Sequence, residues 1–303
     1  MNSIRTRIKI CGLTREQDVD AAVAAGADAI GFVLYDKSPR HIPIERAAQL
    51  ARRLPPFVTP VLLFVNAAAT EIIAACAYIP GSTVQFHGDE TPDQCQQATL
   101  NGARAYLRAA RIPLGDGAAS FDLVKYAQDY SKAQAILLDA HVEGYGGGGK
   151  AFNWSLLPPS VNAHLVLSGG LSAANVADGI LQVRPRCKTL AVDVSSGVEL
   201  DGPGNKGIKD ADKINRFVAA VRAAVPDAPA CYFDLMSAED VERRRLQRQC
   251  ETHFKSLPLS VREVIRREAI VKAQEIVQSP FERLAASMTS SMEDTSLDDL
   301  FPK

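Results

Sequence analysis

Residues 7–33, RIKICGLTREQDVDAAVAAGADAIGFV, hold one complete strand–helix–strand unit, and the rest of the chain repeats it. Ile8 and Ile10 are β-branched and mark a buried strand that stops at Cys11 and Gly12. Thr14 with Gln17 fits a helix capping box, Val19, Ala22 and Val23 form an apolar stripe at helical spacing, and Gly26 supplies the stop. A second apolar run, Ala29–Leu34, begins almost at once. Two strands joined through a helix must run parallel, because the crossover returns the chain to the edge it left.

The same alternation continues. Strand candidates follow at Val61–Val65, Thr83–His87, Arg104–Leu107, Ala135–Asp139, Leu165–Ser168 and Thr189–Val194, with helix-like stretches such as IPIERAAQLARRL and DADKINRFVAAVR between them. The stretch from Phe152 to Val161 is the poorly helical exception. Eight such units in the first two thirds of the chain fit an α/β fold of the (β/α)8 TIM-barrel type, whose usual length is about 250 residues. A doubly wound open sheet is the rival, but no GxGxxG follows the first strand.

Composition removes several function classes. The 303 residues are 47% hydrophobic with a formal net charge of -1, which gives no electrostatic reason to expect nucleic acid or a membrane surface as partner. The start, MNSIRTRIKI, lacks the apolar core of a signal peptide, so a cytoplasmic location is expected. Six cysteines lack CxxC or His-paired spacing, so neither a metal nor a disulfide framework is expected.

The strand ends carry the chemistry. In such barrels reactive groups gather at the C-terminal mouth, and here the ends offer Cys11, Arg40, His87, Asp139, then Ser168–Gly169–Gly170 and Ser195–Ser196–Gly197. The two glycine loops, after strands seven and eight, stand where barrels hold a substrate phosphate on backbone N–H groups beside a helix N-terminus. Cys11 is either a buried core thiol or a base whose thiolate a nearby helix terminus and cations favour. Asp139 closes an intensely apolar strand, where burial favours a carboxyl that keeps a proton to give. Arg40 offers either a planar fork for a carboxylate or a surface salt bridge after a proline turn. His87 could be a ligand, an acid or, by default, a structural histidine. The glycine-rich stretch 141–154 reads as a lid in which Lys150 meets an anion.

Together KICGLT, DAIGFVLYDKSPRHI, VLLFVN, VQFHGDE, ILLDA, GGKAFNW, LSGGL and AVDVSSGVE resemble the phosphoribosylanthranilate isomerases of tryptophan biosynthesis, in order from Lys9 to Arg222. The resemblance implies an Amadori rearrangement of N-(5-phosphoribosyl)anthranilate to 1-(2-carboxyphenylamino)-1-deoxyribulose 5-phosphate without cofactor. It implies Cys11 as general base, Asp139 as general acid, Arg40 on the anthranilate carboxylate and the two glycine loops on the phosphate of a small phosphosugar. Asn153 and Gly148 depart from the Asp and the Ser or Thr expected there, which touches the lid and not the reaction. Other phosphosugar barrels, such as ribulose-phosphate epimerases, would want metal-binding His and Asp at strand ends, where only His87 is offered. An inactive phosphate-binding scaffold is the rival of a different class, against which both Cys11 and Asp139 argue.

The resemblance stops before PDAPA at 226–230, so the expected organisation is a barrel over 1–225 and a helical, partly disordered extension over 226–303. Within it, 237–280 carries two charged helical patterns, capped at Ser237 and Ser260, that suit self-association or docking of a partner. The RRRLQR cluster has acidic neighbours and no interleaved aromatics, and reads as a solvated face.

Overall fold

The computed structural model describes residues 5–114, 121–140 and 153–224. These belong to the first of two units of the chain, Met1–Asp234; the second unit, Leu235–Lys303, the extension over 226–303 and most of the expected lid lie outside the described residues. Eight parallel strands close into a barrel in sequence order: β1 (Arg7–Cys11), β2 (Ala29–Val33), β3 (Thr59–Phe64), β4 (Thr83–Phe86), β5 (Tyr106–Ile112), β6 (Ala135–Ala140), β7 (His164–Leu167) and β8 (Thr189–Val194). The ring is sealed by β8 against β1, with Arg7 opposite Ala191 and Lys9 opposite Asp193. Seven helices follow the strands: α1 (Glu16–Ala25), α2 (Ile44–Ala51), α3 (Ala69–Tyr78), α4 (Pro92–Ala98), α5 (Leu123–Asp129), α6 (Val176–Val183) and α7 (Ala211–Ala223). Between β6 and β7 the described chain has only a 3-10 turn, Trp154–Leu156, in line with the weak helical pattern there.

Strand alternation divides the side chains into two cores. Ile8, Ile10, Ile30, Phe32, Leu62, Phe64, Val84 and Phe86 face the helices and join one large cluster with residues such as Val19, Leu50, Ile72 and Phe217. The other face of each strand fills the barrel. Two small apolar groups lie there, Cys11 with Val33, Leu63 and Val65, and Ala109 with Leu137 and Val166.

Local chemistry explains most boundaries and corrects two. Gly26 ends α1 with φ 91°, a left-handed turn that its lack of a Cβ permits, and its N–H meets the carbonyls of Ala22 and Val23. Thr91 and Gln94 make a reciprocal capping box on α4, and Asp122 and Asp210 cap α5 and α7. Thr14 and Gln17 make no such box. Helix α1 starts at Glu16 with Arg15 at the cap, and the Thr14 hydroxyl donates instead to the Gly207 carbonyl at 3.3 Å. The fifth strand is Tyr106–Ile112 and not Arg104–Leu107. Its arginines hid it: Arg108 is buried outside the barrel, 4.9 Å from the Tyr130 ring centre and paired with Glu90, while Arg111 reaches the mouth.

Candidate active site

The inward positions of the strands converge at the C-terminal mouth. On β1 these are Lys9 and Cys11, both buried. The Cys11 sulfur lies over Gly31 of β2, where a Cβ would stand 2.6 Å from Sγ and 3.1 Å from the Lys9 Cε. A glycine there is a spatial requirement of the thiol and the lysine together. Val33, Leu63 and Val65 pack against Cys11, and the Ser195 hydroxyl donates to its carbonyl at 3.0 Å. The Lys9 ammonium sits 2.7 Å from Asp193, whose other oxygen accepts from the Ser168 hydroxyl at 2.9 Å. Burial works against the charge on Lys9, but the Asp193 carboxylate, with Cys11 as a smaller influence, holds it above the ordinary lysine range.

Asp139 enters from β6, three strands from β1 around the ring. One oxygen accepts from its neighbour's backbone, Ala140 N–H, at 2.9 Å, and the other lies 3.0 Å from the His87 Nε2. His87 is thereby placed on the acid candidate itself, and its second ring nitrogen lies 3.1 Å from the Gln85 amide nitrogen. A Cβ on Gly169 would stand 2.8 Å from the Asp139 Oδ1 and 2.7 Å from Ala140 N, so the loop after β7 rests directly on the acid candidate.

Two loops form one lip. Gly169 and Gly170 are both left-handed, φ 74° and 63°, and the Asn175 amide donates to the Gly170 carbonyl at 3.0 Å. A Cβ on Gly197 would collide with the Leu171 carbonyl, so Ser196–Gly197 is pressed against the neighbouring loop. The expected helix start beside Gly170 is displaced: α6 begins at Val176 after an intervening turn, which leaves loop N–H groups to meet an anion. The hydroxyls of Ser168 and Ser195 are engaged by Asp193 and by the Cys11 carbonyl.

Arg40 is buried beside Cys11's strand, with its Cδ 2.5 Å from where a Gly12 Cβ would be. It pairs bidentately with Glu199, Nε to Oε1 at 2.7 Å and Nη2 to Oε2 at 2.9 Å, so Arg40 does form a salt bridge, but a buried one and not the surface pair expected. Lys209 shares the same carboxylate at 2.9 Å and also donates to the Ser195 carbonyl at 3.0 Å. Burial would push Glu199 up, yet Arg40 and Lys209 hold it below the ordinary glutamate range. Burial, helped by the like charge of Arg40, brings Lys209 below the ordinary lysine range despite Glu199. Two cations on one carboxylate leave this side of the mouth with a positive excess, which suits an anionic substrate.

Lys9, Gln85, Arg111, Glu199 and Lys209 escaped the sequence reading. Only Lys9 gave a signal, as a charge between two isoleucines of a buried strand. Among the described residues no group of His, Cys, Asp and Glu could hold a metal ion, and no helix is long and apolar enough to cross a membrane. Cys11, Cys76, Cys95 and Cys187 are free thiols.

Residues 8–220 match the family model of N-(5'-phosphoribosyl)anthranilate (PRA) isomerase. The N-(5'-phosphoribosyl)anthranilate isomerase of Methylibium petroleiphilum is 65% identical over 221 residues, 73% of this chain and 96% of that protein. Among solved structures, the phosphoribosyl anthranilate isomerase of Thermotoga maritima is 37% identical with a TM-score of 0.61, covering 72% of this chain and 99% of that one. A phosphoribosyl anthranilate isomerase in complex with reduced 1-(o-carboxyphenylamino)-1-deoxyribulose 5-phosphate is 35% identical with a TM-score of 0.59, over the same shares. The protein, from the strand that ends in Cys11 to the last helix of the barrel, belongs to the phosphoribosylanthranilate isomerase family.

Proposed function

We propose that the barrel converts N-(5-phosphoribosyl)anthranilate to 1-(2-carboxyphenylamino)-1-deoxyribulose 5-phosphate with Asp139 as general acid and Cys11 as general base. The carrying observation is that the two groups face the barrel interior at the mouth from strands on different sides of the ring. Asp139 gives its proton to the furanose ring oxygen, the bond from that oxygen to C1' breaks, and the anilino nitrogen lone pair forms the iminium. The Cys11 thiolate then takes the proton on C2', the electron pair passes to the iminium, and the enolamine tautomerises to the ketone. One proton is given and one taken, from opposite sides of the sugar.

The phosphate belongs on the N–H groups of Gly169, Gly170, Ser196 and Gly197, where two loops already form one lip. Arg40 takes the anthranilate carboxylate without releasing Glu199. That pair uses Nε and one Nη2 hydrogen, so the edge made by Nη1 and the remaining Nη2 hydrogen still matches a carboxylate. The cytoplasm is the proposed compartment, supported by the free thiols among the described residues. Residues 237–280 are proposed to mediate self-association or partner docking, supported by their capped, charged helical patterns.

The test follows the loss of anthranilate-type fluorescence from enzymatically generated substrate. Wild type should turn over, while Cys11→Ala and Asp139→Asn should each lose at least about a hundredfold in kcat, the range set by removing a general base or acid. Unchanged rates in both variants would show that the protons move elsewhere.

A further inference from the structure

His87 does not take part in the reaction as written, yet it is buried against the acid, and its own second partner is unusual. Its Nδ1 lies 3.1 Å from the Gln85 Nε2, an amide nitrogen that can only donate. The Nδ1 must therefore carry the lone pair and the ring proton must sit on Nε2, 3.0 Å from the Asp139 carboxyl. Gln85 is fully buried and its Oε1 meets no partner among the described residues. Here the amide leaves its carbonyl and one N–H over; reversing it would bond the carbonyl and leave both N–H groups over. It would also turn the Nε2 lone pair toward Asp139, which would have to spend its proton on the ring.

The barrel builds this contact across a strand. β4 and β6 are not neighbours, and the β5 position between them is Ala109, opposite Leu137 in register. The small Ala109 side chain lets the imidazole pass over β5 to Asp139. The charged groups around the pair are Arg111, in register with Asp139 and paired with Asp89, the Lys9–Asp193 pair on β1 and β8, and the buried Arg108–Glu90 pair that bonds Gly88 beside His87.

We propose that Gln85 fixes His87 as the Nε2–H tautomer, making it a permanent hydrogen-bond donor to Asp139 and not a proton carrier. This rests on Asp139 being the acid. Once Asp139 has given its proton to the ring oxygen, the new carboxylate finds two donors already in place, Ala140 N–H and His87 Nε2–H. The bond strengthens as charge develops on Asp139, so it assists the ring-opening step and not substrate binding. Gln85 and His87 are positioning residues, since neither needs to touch the substrate.

The full chain labelled with 15N-histidine tests the tautomer directly by long-range proton–nitrogen correlation at pH 7.5. There are five histidines, and His87→Gln identifies the His87 signals by their loss. The expected pattern is a protonated-type Nε2 and a lone-pair-type Nδ1. Gln85→Glu, which replaces the donor by an acceptor, should convert Nδ1 to the protonated type, and Gln85→Met should yield mixed tautomers. In turnover, His87→Leu should lower kcat about a hundredfold with KM within about twofold. His87→Gln, whose amide nitrogen falls near the Nε2 place, should recover about tenfold of that loss. A wild-type Nδ1–H tautomer, or His87 signals that do not respond to Gln85→Glu, overturns the proposal while leaving Asp139 as acid. Full activity in Asp139→Asn removes the acid assignment and this inference with it.

Discussion

Glu199 is a buried carboxylate shared by two cations at the mouth, and replacing it by glutamine should cost a large part of the barrel's stability. Its side chain is 6% exposed and meets Arg40 at 2.7 and 2.9 Å and Lys209 at 2.9 Å. The amide removes the charge and turns two donors toward cations that are themselves donors. Removing one partner from a buried pair costs about 3–5 kcal/mol. Against a typical total of about 5–15 kcal/mol that is roughly a fifth or more of the folding free energy. With a urea slope near 3 kcal/mol/M, the midpoint should fall by roughly 1–1.7 M. Trp154, the chain's one tryptophan and 9% exposed, reports the transition by fluorescence. Because Glu199 ionises below its ordinary 4.5 in the folded barrel, its contribution is complete above that pH and is lost as pH falls through the lowered value. The gap between wild type and Glu199→Gln should therefore hold from pH 8 to about 5 and close in stronger acid. Lys209 contributes with the opposite sign: burial lowers it, so its charge burdens the fold until pH rises toward 10.5. A midpoint within about 0.3 M of wild type at pH 7 would refute the assignment of Glu199 as counter-charge to two cations.

Gly31→Ala should abolish most turnover while leaving a folded protein, because the new Cβ would stand 2.6 Å from the Cys11 sulfur and 3.1 Å from the Lys9 side chain; kcat beside a circular dichroism melt separates the two effects. Burial pushes the Cys95 thiol up to about 12 and that of the half-buried Cys187 to about 11, so alkylation at pH 8 followed by peptide mass spectrometry should leave Cys95 unmodified and Cys187 slow in the native protein and label both in urea; rapid native labelling of Cys95 would contradict its burial.

What the sequence shows and hides follows from where partners lie along the chain. Cys11 and Asp139 stood out in the sequence as candidates because one is a thiol at the end of a strand and the other a carboxylate on an otherwise apolar strand. The paired glycines were legible because they recur after two consecutive strands. Arg40 was visible, but its partner Glu199 is 159 residues away in an irregular loop, and no local pattern announces such a pair. His87 was visible too, but its partner Asp139 lies 52 residues further on at the end of another strand, and no local pattern joins the two. Thr14 misled for a related reason: its hydroxyl had a distant acceptor, the Gly207 carbonyl, which competed with the local cap.

The polar interior of this barrel mouth is organised in three networks, each joining one strand-end group to fixed partners on other elements. Lys9–Asp193–Ser168 links β1, β8 and the end of β7, Gln85–His87–Asp139 spans β4 to β6, and Arg40–Glu199–Lys209 binds the loop after β2 to the loops after β8. Buried polar groups must be paired to be tolerated, but pairing alone would be met by any complementary residues. These networks do more than compensate one another. Cys11 sits above the first, Asp139 belongs to the second, and the third holds a guanidinium edge toward the mouth. The proposed base, acid and carboxylate fork are therefore each held mainly by a different set of long-range contacts, with Ser195 linking Lys209 of the third to the Cys11 carbonyl. Damage to one set should alter one step, so that Glu199 variants raise KM for the anionic substrate while Gln85 and His87 variants lower kcat. A barrel whose mouth were merely packed for stability would show no such division.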